Sequence, residues 1–185
     1  MKVIDRCLNG VLLLEPVVHG DHRGFFLESF RRDQLKDLGV AEEFVQDNHS
    51  LSAEAGTLRG LHYQKPPAAQ GKLVRVTSGA IYDVVVDIRK SSPTFGQWRG
   101  FLLTASNFRQ LWVPRGFAHG FCTLVPQTEV QYKVDAPYSP ELDCGILWSD
   151  PSLAIDWPYS QPVLSDKDKR HPLFNDAEHF ESIIE

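Results

Sequence analysis

The chain has little of what several function classes require. Its three cysteines, Cys7, Cys122 and Cys144, are odd in number and far apart, with no C-x-x-C pair and no histidine at zinc-ligand spacing beside them. That excludes a disulfide framework and a zinc-finger-type site, and the thiols read as reduced, mostly buried small residues. No run of five Lys or Arg occurs in 185 residues of net charge −5. Neither nucleic acid nor an anionic membrane surface is therefore expected as a partner, and an anionic ligand has to be held by a few placed cations. Long apolar stretches are absent too. The first twenty residues hold only the run Val11–Leu14, too short for a signal sequence, and nothing later approaches a membrane span. The expectation is a cytoplasmic protein. There is no G-x-G-x-x-G after a strand, no G-x-x-x-x-G-K-[ST] and no G-x-S-x-G elbow, so dinucleotide redox chemistry and serine hydrolysis have no support.

Helical signals are also few: "RRDQLKDLG", ending at Gly39, and the C-terminal "DAEHFESIIE". What fills the chain instead is short apolar runs with period-two alternation, rich in Val, Ile, Phe and Trp and broken by Gly, Pro, Asn or Asp. Examples are "VLLLEPVV", "EFVQDNHS", "TLRGLHYQ", "KLVRVTSG", "AIYDVVVDIR", "GFAHGFCTLV", "TEVQYKVD" and "CGILWSD". About eleven such strands exceed what one small sheet holds, so the fold class is mainly β, closed into a barrel or double-sheet jelly roll with a few short helices. With 42 % hydrophobic residues and no linker-like stretch, a single domain over residues 1–185 is expected, with a tail from about residue 176.

Alternation sorts "IYDVVVDIR" into Tyr82, Val84, Val86 and Ile88 on one face and Asp83, Val85, Asp87 and Arg89 on the other. Asp83 is the better candidate for the interior of a ligand-holding barrel, whereas Asp87 reads equally as a solvated acid. Lys72 shares a face with Val74 and Val76, an odd place for a lysine that merely wants water. Tyr132 lies with Val130 and Val134, so its hydroxyl points inward and needs a partner. Two segments resemble the paired motifs of the cupin family of double-stranded β-helices. "PRGFAH" supplies Pro114, Gly116 and His119, and Gly56, His62, Lys72 and Gly79 follow the other motif's spacing with a longer gap. Where metal-binding cupins have a second His and a Glu, this chain has Gln64 and Lys72. An ammonium repels a cation, so the expectation is a cupin-like barrel with no metal, whose former metal position holds His62, His119 and Lys72.

Such a pocket suits proton chemistry. A neutral histidine, with an unperturbed pKa of ~6.5, removes a proton near pH 7, a buried lysine stabilises an oxyanion, and a tyrosine supplies a proton. Together they fit proton abstraction α to a carbonyl followed by reprotonation, without a cofactor. The segments "GDHRGFFLESF", "FVQDNHS", "LRGLHYQ", "QGKLVRV", "YDVVVDIRKSSPTFGQW", "LWVPRGFAHGF", "YKVDAPYSPE", "ILWSDP" and "LSDKD" carry a more specific likeness. In one register from about residue 3 to residue 175, they resemble the dTDP-4-dehydrorhamnose 3,5-epimerases. That family inverts C3 and C5 of dTDP-4-dehydro-6-deoxy-D-glucose to give dTDP-4-dehydro-L-rhamnose, a metal-independent step toward dTDP-L-rhamnose.

The resemblance implies that His62 is the general base, paired with Asp168, that Tyr132 is the general acid, and that Lys72 stabilises the enolate with Asp83 as its orienting neighbour. It places His119 on the sugar or diphosphate, and Arg23, Arg59 and Lys167 on the diphosphate, for which a guanidinium fork is well shaped. Glu28, Gln46 and Asn48 are implied as thymidine and sugar contacts, with Phe26 stacking on the base. The residues alone read Gln46 and Asn48 as a capped turn, and Asp168 as a loop acid. Asp143, another binding position, stands where the family often has Glu, and Pro137 stands where a Tyr is frequent. A homodimer with N-terminal strands exchanged is implied as well, "VLLLEPVV" being the segment available for exchange. Three other readings stay open: an epimerase acting at C3 or C5 alone on a related dTDP-sugar, a catalytically idle sugar-nucleotide-binding cupin, and a metal-dependent cupin enzyme, which Gln64 and Lys72 disfavour.

Overall fold

Residues 1–181 are described by a computed structural model of the chain. Thirteen strands form its framework: β1 (Lys2–Cys7), β2 (Val11–Glu15), β3 (Val18–Asp21), β4 (Gly24–Leu27), β5 (Gln46–Ser52), β6 (Leu58–Gln64), β7 (Lys72–Ser78), β8 (Ala80–Asp87), β9 (Trp98–Thr104), β10 (Gln110–Val113), β11 (Phe117–Thr123), β12 (Thr128–Val134) and β13 (Asp143–Gly145). The one α-helix, α1 (Arg32–Asp37), occupies the first helical segment expected from the sequence. At the second, Phe174–Asp176 forms a single 3-10 turn and the chain then extends to a bridge at Phe180; residues 182–185 lie outside the described residues.

Two antiparallel sheets face each other, with strand orders β1-β2-β10-β7-β12-β5 and β13-β6-β11-β8-β9. The inward residues of alternate positions, among them Val74, Val76, Val85, Leu111, Phe121 and Val130, form the core between them. Both outer faces are covered as well. Residues after β13, including Ile146, Leu153, Phe174 and Phe180, close over Leu61, Val84, Val86 and Ala118. On the other side α1 and the segment behind it lay Leu35 and Val40 on Leu12, Leu14, Leu73 and Trp112. Coverage on both faces explains why "VLLL" and "VVV" are apolar at consecutive positions where a half-solvated strand alternates. Each such buried aliphatic side chain contributes roughly 1.5–3 kcal/mol relative to exposure.

One choice that the strand pattern leaves open is decided here. Asp87 is not wet: it is fully buried and accepts hydrogen bonds from Arg89, Ser92 and Thr94, tying the β8 end to the following turn. Within the chain, Val11–Glu15 of the segment "VLLLEPVV" is paired on both sides, by β1 and β10. The strands free of both main sheets are β3 and β4, which pair only with each other as a hairpin. Among the described residues the three cysteines are unpaired, and no helix is long and apolar enough to cross a membrane.

Candidate active site

Between the sheets, where β5, β7 and β12 face β6 and β11, the apolar core gives way to a cavity of about 270 Å³. Arg59, His62, Lys72, His119, Tyr132, Lys167 and Asp168 line it, together with Ser50, Phe121 and Ser165. Seven of the residues selected from the sequence are thus brought together from β6, β7, β11, β12 and the loop after β13.

Strict alternation sends Arg59 and His62 to opposite faces of β6. The pairing with β11 runs His119↔His62 and then Phe121↔Arg59, two steps on β11 against three on β6. One extra residue in β6 makes a bulge, and it turns both side chains into the same cavity. Gly60, at φ +138°, is where this happens; a Cβ there would stand 2.5 Å from the Gly120 Cα. Only two facing glycines let the strands approach this closely.

His62 donates its Nε2–H to Asp168 Oδ1 at 2.5 Å, its one side-chain hydrogen bond among the described residues. Nδ1 is left as the nitrogen that can take a proton from a ligand. Asp168 opens the 3-10 turn Asp168–Arg170 and is itself fixed by Ser165, whose hydroxyl donates to its Oδ2 at 2.8 Å. Burial pushes the Asp168 carboxyl up, but contacts with His171 and His62 outweigh it and hold the group far below the usual carboxylate range. His62 goes the other way: desolvation dominates and lowers its pKa below 6.5 despite the carboxylate, so the ring stays neutral near pH 7. The sequence reading emphasised the charged form that Asp168 favours; burial of the ring is the stronger influence.

Lys72 is buried, and burial brings its amine down to about 8, opposed by the charges of Asp143 and Asp83. Its Nζ donates to the His62 carbonyl at 3.4 Å. Asp83, expected as its orienting neighbour, instead places both carboxylate oxygens on His119 Nε2, at 2.8 and 3.0 Å. It therefore fixes His119 and acts on Lys72 only through charge. Tyr132 stands on the opposite sheet from His62, and burial raises its phenol above 10, the Arg59 charge lowering and the Asp143 charge adding to the shift. A phenol so placed is protonated at neutral pH and able to donate. Gln64, at the position of a cupin metal ligand, spends its amide on Ala68, Pro137 and Ser139.

The remaining sequence candidates are not in this cavity. Asn48 pairs across the sheet with Tyr132 and accepts a hydrogen bond from Gln46 at 2.8 Å, so both belong to a strand rather than a capped turn. Asp143 binds the Lys167 ammonium and accepts from the Tyr138 hydroxyl at 2.8 Å, so its shorter side chain still reaches partners at the rim. Arg23 and Phe26 ride on the β3–β4 hairpin with Phe26 67 % exposed, and Arg23 is held by Asp21. Glu28 follows the hairpin and pairs with Arg31. Sequence reading passed over Ser165 and His171, which sit three residues before and after Asp168. The Ser-x-x-Asp spacing was a readable signal for the first; nothing short of the fold marks the second.

The dTDP-4-dehydrorhamnose 3,5-epimerase family model matches residues 5–176. This chain belongs to that family. The family's enzyme of that name from Shigella flexneri is 55 % identical over 181 residues, covering 97 % of this chain and 99 % of the relative. A crystal structure of the Bacillus anthracis family member with TDP and pyrophosphate bound superposes with a TM-score of 0.92 at 62 % identity, over 93 % of this chain and 98 % of that one. Another family structure, from Legionella pneumophila in complex with dTDP-4-keto-L-rhamnose, gives 0.94 at 45 % identity over 99 % of both chains.

Proposed function

We infer that the chain converts dTDP-4-dehydro-6-deoxy-D-glucose to dTDP-4-dehydro-L-rhamnose by inverting C3 and C5. The observation that carries this is a neutral imidazole and a protonated phenol on opposite walls of one cavity, with a buried ammonium between the sheets beside them. A ketone at C4 acidifies the hydrogens on both neighbouring carbons, so one pocket serves two inversions in turn. His62 Nδ1 takes the proton from C3, the Lys72 ammonium stabilises the enolate oxygen, and Tyr132 returns a proton on the other face. His62 then loses its proton to solvent, Tyr132 regains one, and the same groups act at C5. Arg59 and Lys167 at the cavity wall hold the diphosphate, and His119, fixed by Asp83, binds the sugar.

The second part of the reading concerns the hairpin. Phe25 and Phe26 are 63 % and 67 % exposed, and Arg23, Phe26 and Glu28 lie outside the cavity that holds His62 and Tyr132. The active form is a homodimer in which one copy's hairpin brings these residues to the other copy's cavity, closing it over the nucleotide. Incubation with the substrate and identification of the product by proton NMR tests the reaction: inversion at both carbons is expected, and inversion at one alone replaces it with a mono-epimerase. Mixing His62→Ala with Arg23→Ala tests the dimer. With substrate far below KM, where Arg23→Ala alone turns over slowly, random pairing should restore about a quarter of the wild-type rate, since half of the dimers carry one intact site of two; no recovery on mixing contradicts action in trans.

A further inference from the structure

One buried side chain beside the cavity has a polar atom with no partner in hydrogen-bond geometry. His171 closes the turn begun by Asp168, and its side chain is 8 % exposed. Its Nε2 lies 3.4 Å from Asp168 Oδ1 but outside hydrogen-bond geometry, and no other group meets it. Room has been made for the ring: a Cβ on Gly145 would stand 2.4 Å from it, and the His62 ring packs edge-on against it with centroids 5.4 Å apart. Buried polar atoms are ordinarily satisfied, so an orphan this close to two other metal-capable groups directs attention to a missing ligand.

We propose that His62, Asp168 and His171 form a site for a divalent transition metal of the zinc class, whose binding removes the catalytic base. One donor atom from each residue lies within 4.8 Å of the other two. Two imidazoles and a carboxylate are a known zinc donor set, and the adjoining cavity has space for water as the fourth ligand. Zinc holds nitrogen and oxygen at about 2.0–2.2 Å, which puts neighbouring donors roughly 3.3–3.5 Å apart in a tetrahedron. The His171–Asp168 separation of 3.4 Å already has that span. The His62–Asp168 pair, at 2.5 Å, does not; its bridging proton has to leave and the gap to widen by about 1 Å.

Metal and proton therefore compete for one pair of atoms. As the metal takes the Nε2 lone pair, the ring proton moves from Nε2 to Nδ1, so His62 stays a neutral ligand, held by the metal rather than by Asp168, and its basic nitrogen is occupied. The site shares His62 with the metal position of cupin barrels but takes its other donors, Asp168 and His171, from the segment after β13 instead of the positions where Gln64 and Lys72 stand. Lys72 also limits the affinity, because its ammonium faces the same cavity and repels a dication. The site is thus inhibitory and reversible rather than resident. Magnesium, which prefers oxygen ligands, is excluded by the two imidazoles. Only the effect on activity rests on His62 being the base; binding does not.

Calorimetric titration of the chain with zinc chloride, without substrate, is expected to show one equivalent bound, and magnesium chloride no heat. His171→Ala should weaken zinc binding at least tenfold, and so should His171→Asn, which keeps a polar group in the space. Cys144→Ser, removing a thiol in the cleft next to His171, should leave it unchanged. Zinc inhibition of turnover, measured against each variant's own metal-free rate, should shift in midpoint by the same factor. No binding, binding indifferent to both His171 variants, or binding lost with Cys144 overturns the site. Zinc binding that follows His171 but leaves turnover intact upholds the site and removes His62 from the role of base.

Discussion

The cavity between the sheets and the β3–β4 hairpin each carry part of the ligand-binding set, and they are built in opposite ways. In the cavity the histidines and the acid beside them are fixed by other groups: His62 by Asp168, Asp168 by Ser165, His119 by Asp83. On the hairpin, Arg23 is exposed and held only by a neighbour two residues away. The difference separates chemistry from capture. Groups that transfer protons have pKa values displaced by burial, which requires a surrounding core. Groups that grip a phosphate need reach and charge, and a surface hairpin supplies both.

Substitutions on the two sides should therefore fail differently. The largest loss is expected for His62→Ala, about 10²–10⁴ in kcat with little change in KM, measured in steady-state turnover. Lys72→Met follows, at about 10²–10³ in kcat, because it removes the charge that meets the enolate. Arg23→Ala should raise KM roughly 10–100-fold and leave kcat nearly intact. A kcat loss of the His62 size at Arg23 would erase the distinction between the two regions. The pH profile of kcat/KM gives the mildest test. Activity should fall on the acid side as His62 becomes protonated, at a pH below 6.5 because burial lowers its pKa. On the alkaline side it should fall through about 8, where Lys72 loses its proton. In Lys72→Met the alkaline limb near 8 should vanish while the acid limb stays.

Much of the cavity was legible in the chain because alternation reports which face a residue takes. Lys72 beside Val74 and Val76, Tyr132 beside Val130 and Val134, and Asp83 opposite Val84 all point inward as period two requires. Arg59 and His62 obeyed no such rule; only the glycine between them hinted at the bulge that the β6–β11 register contains. Asp168 lies 106 residues from His62, so their hydrogen bond was reachable through the family resemblance and not through any local pattern. For Asp87 a solvated and a buried place stayed equally open, because its partners, Arg89, Ser92 and Thr94, come from a turn whose closure the strand pattern does not reveal. The hairpin was hidden inside "VLLLEPVV", where Pro16 ends one strand and Val18 begins the next. His171 left no trace in the sequence, since its place depends on Gly145 and His62 arriving from other strands.

Solvent deuterium incorporation, read separately at C3 and C5 in wild type and in Tyr132→Phe, tests the central claim most directly. One base on one wall and one acid on the other predict label at both carbons in the wild type. In Tyr132→Phe they predict retained label with net inversion slowed far more, because removing a proton does not need the phenol. Label confined to one carbon, or equal loss of exchange and inversion in the variant, would contradict the account.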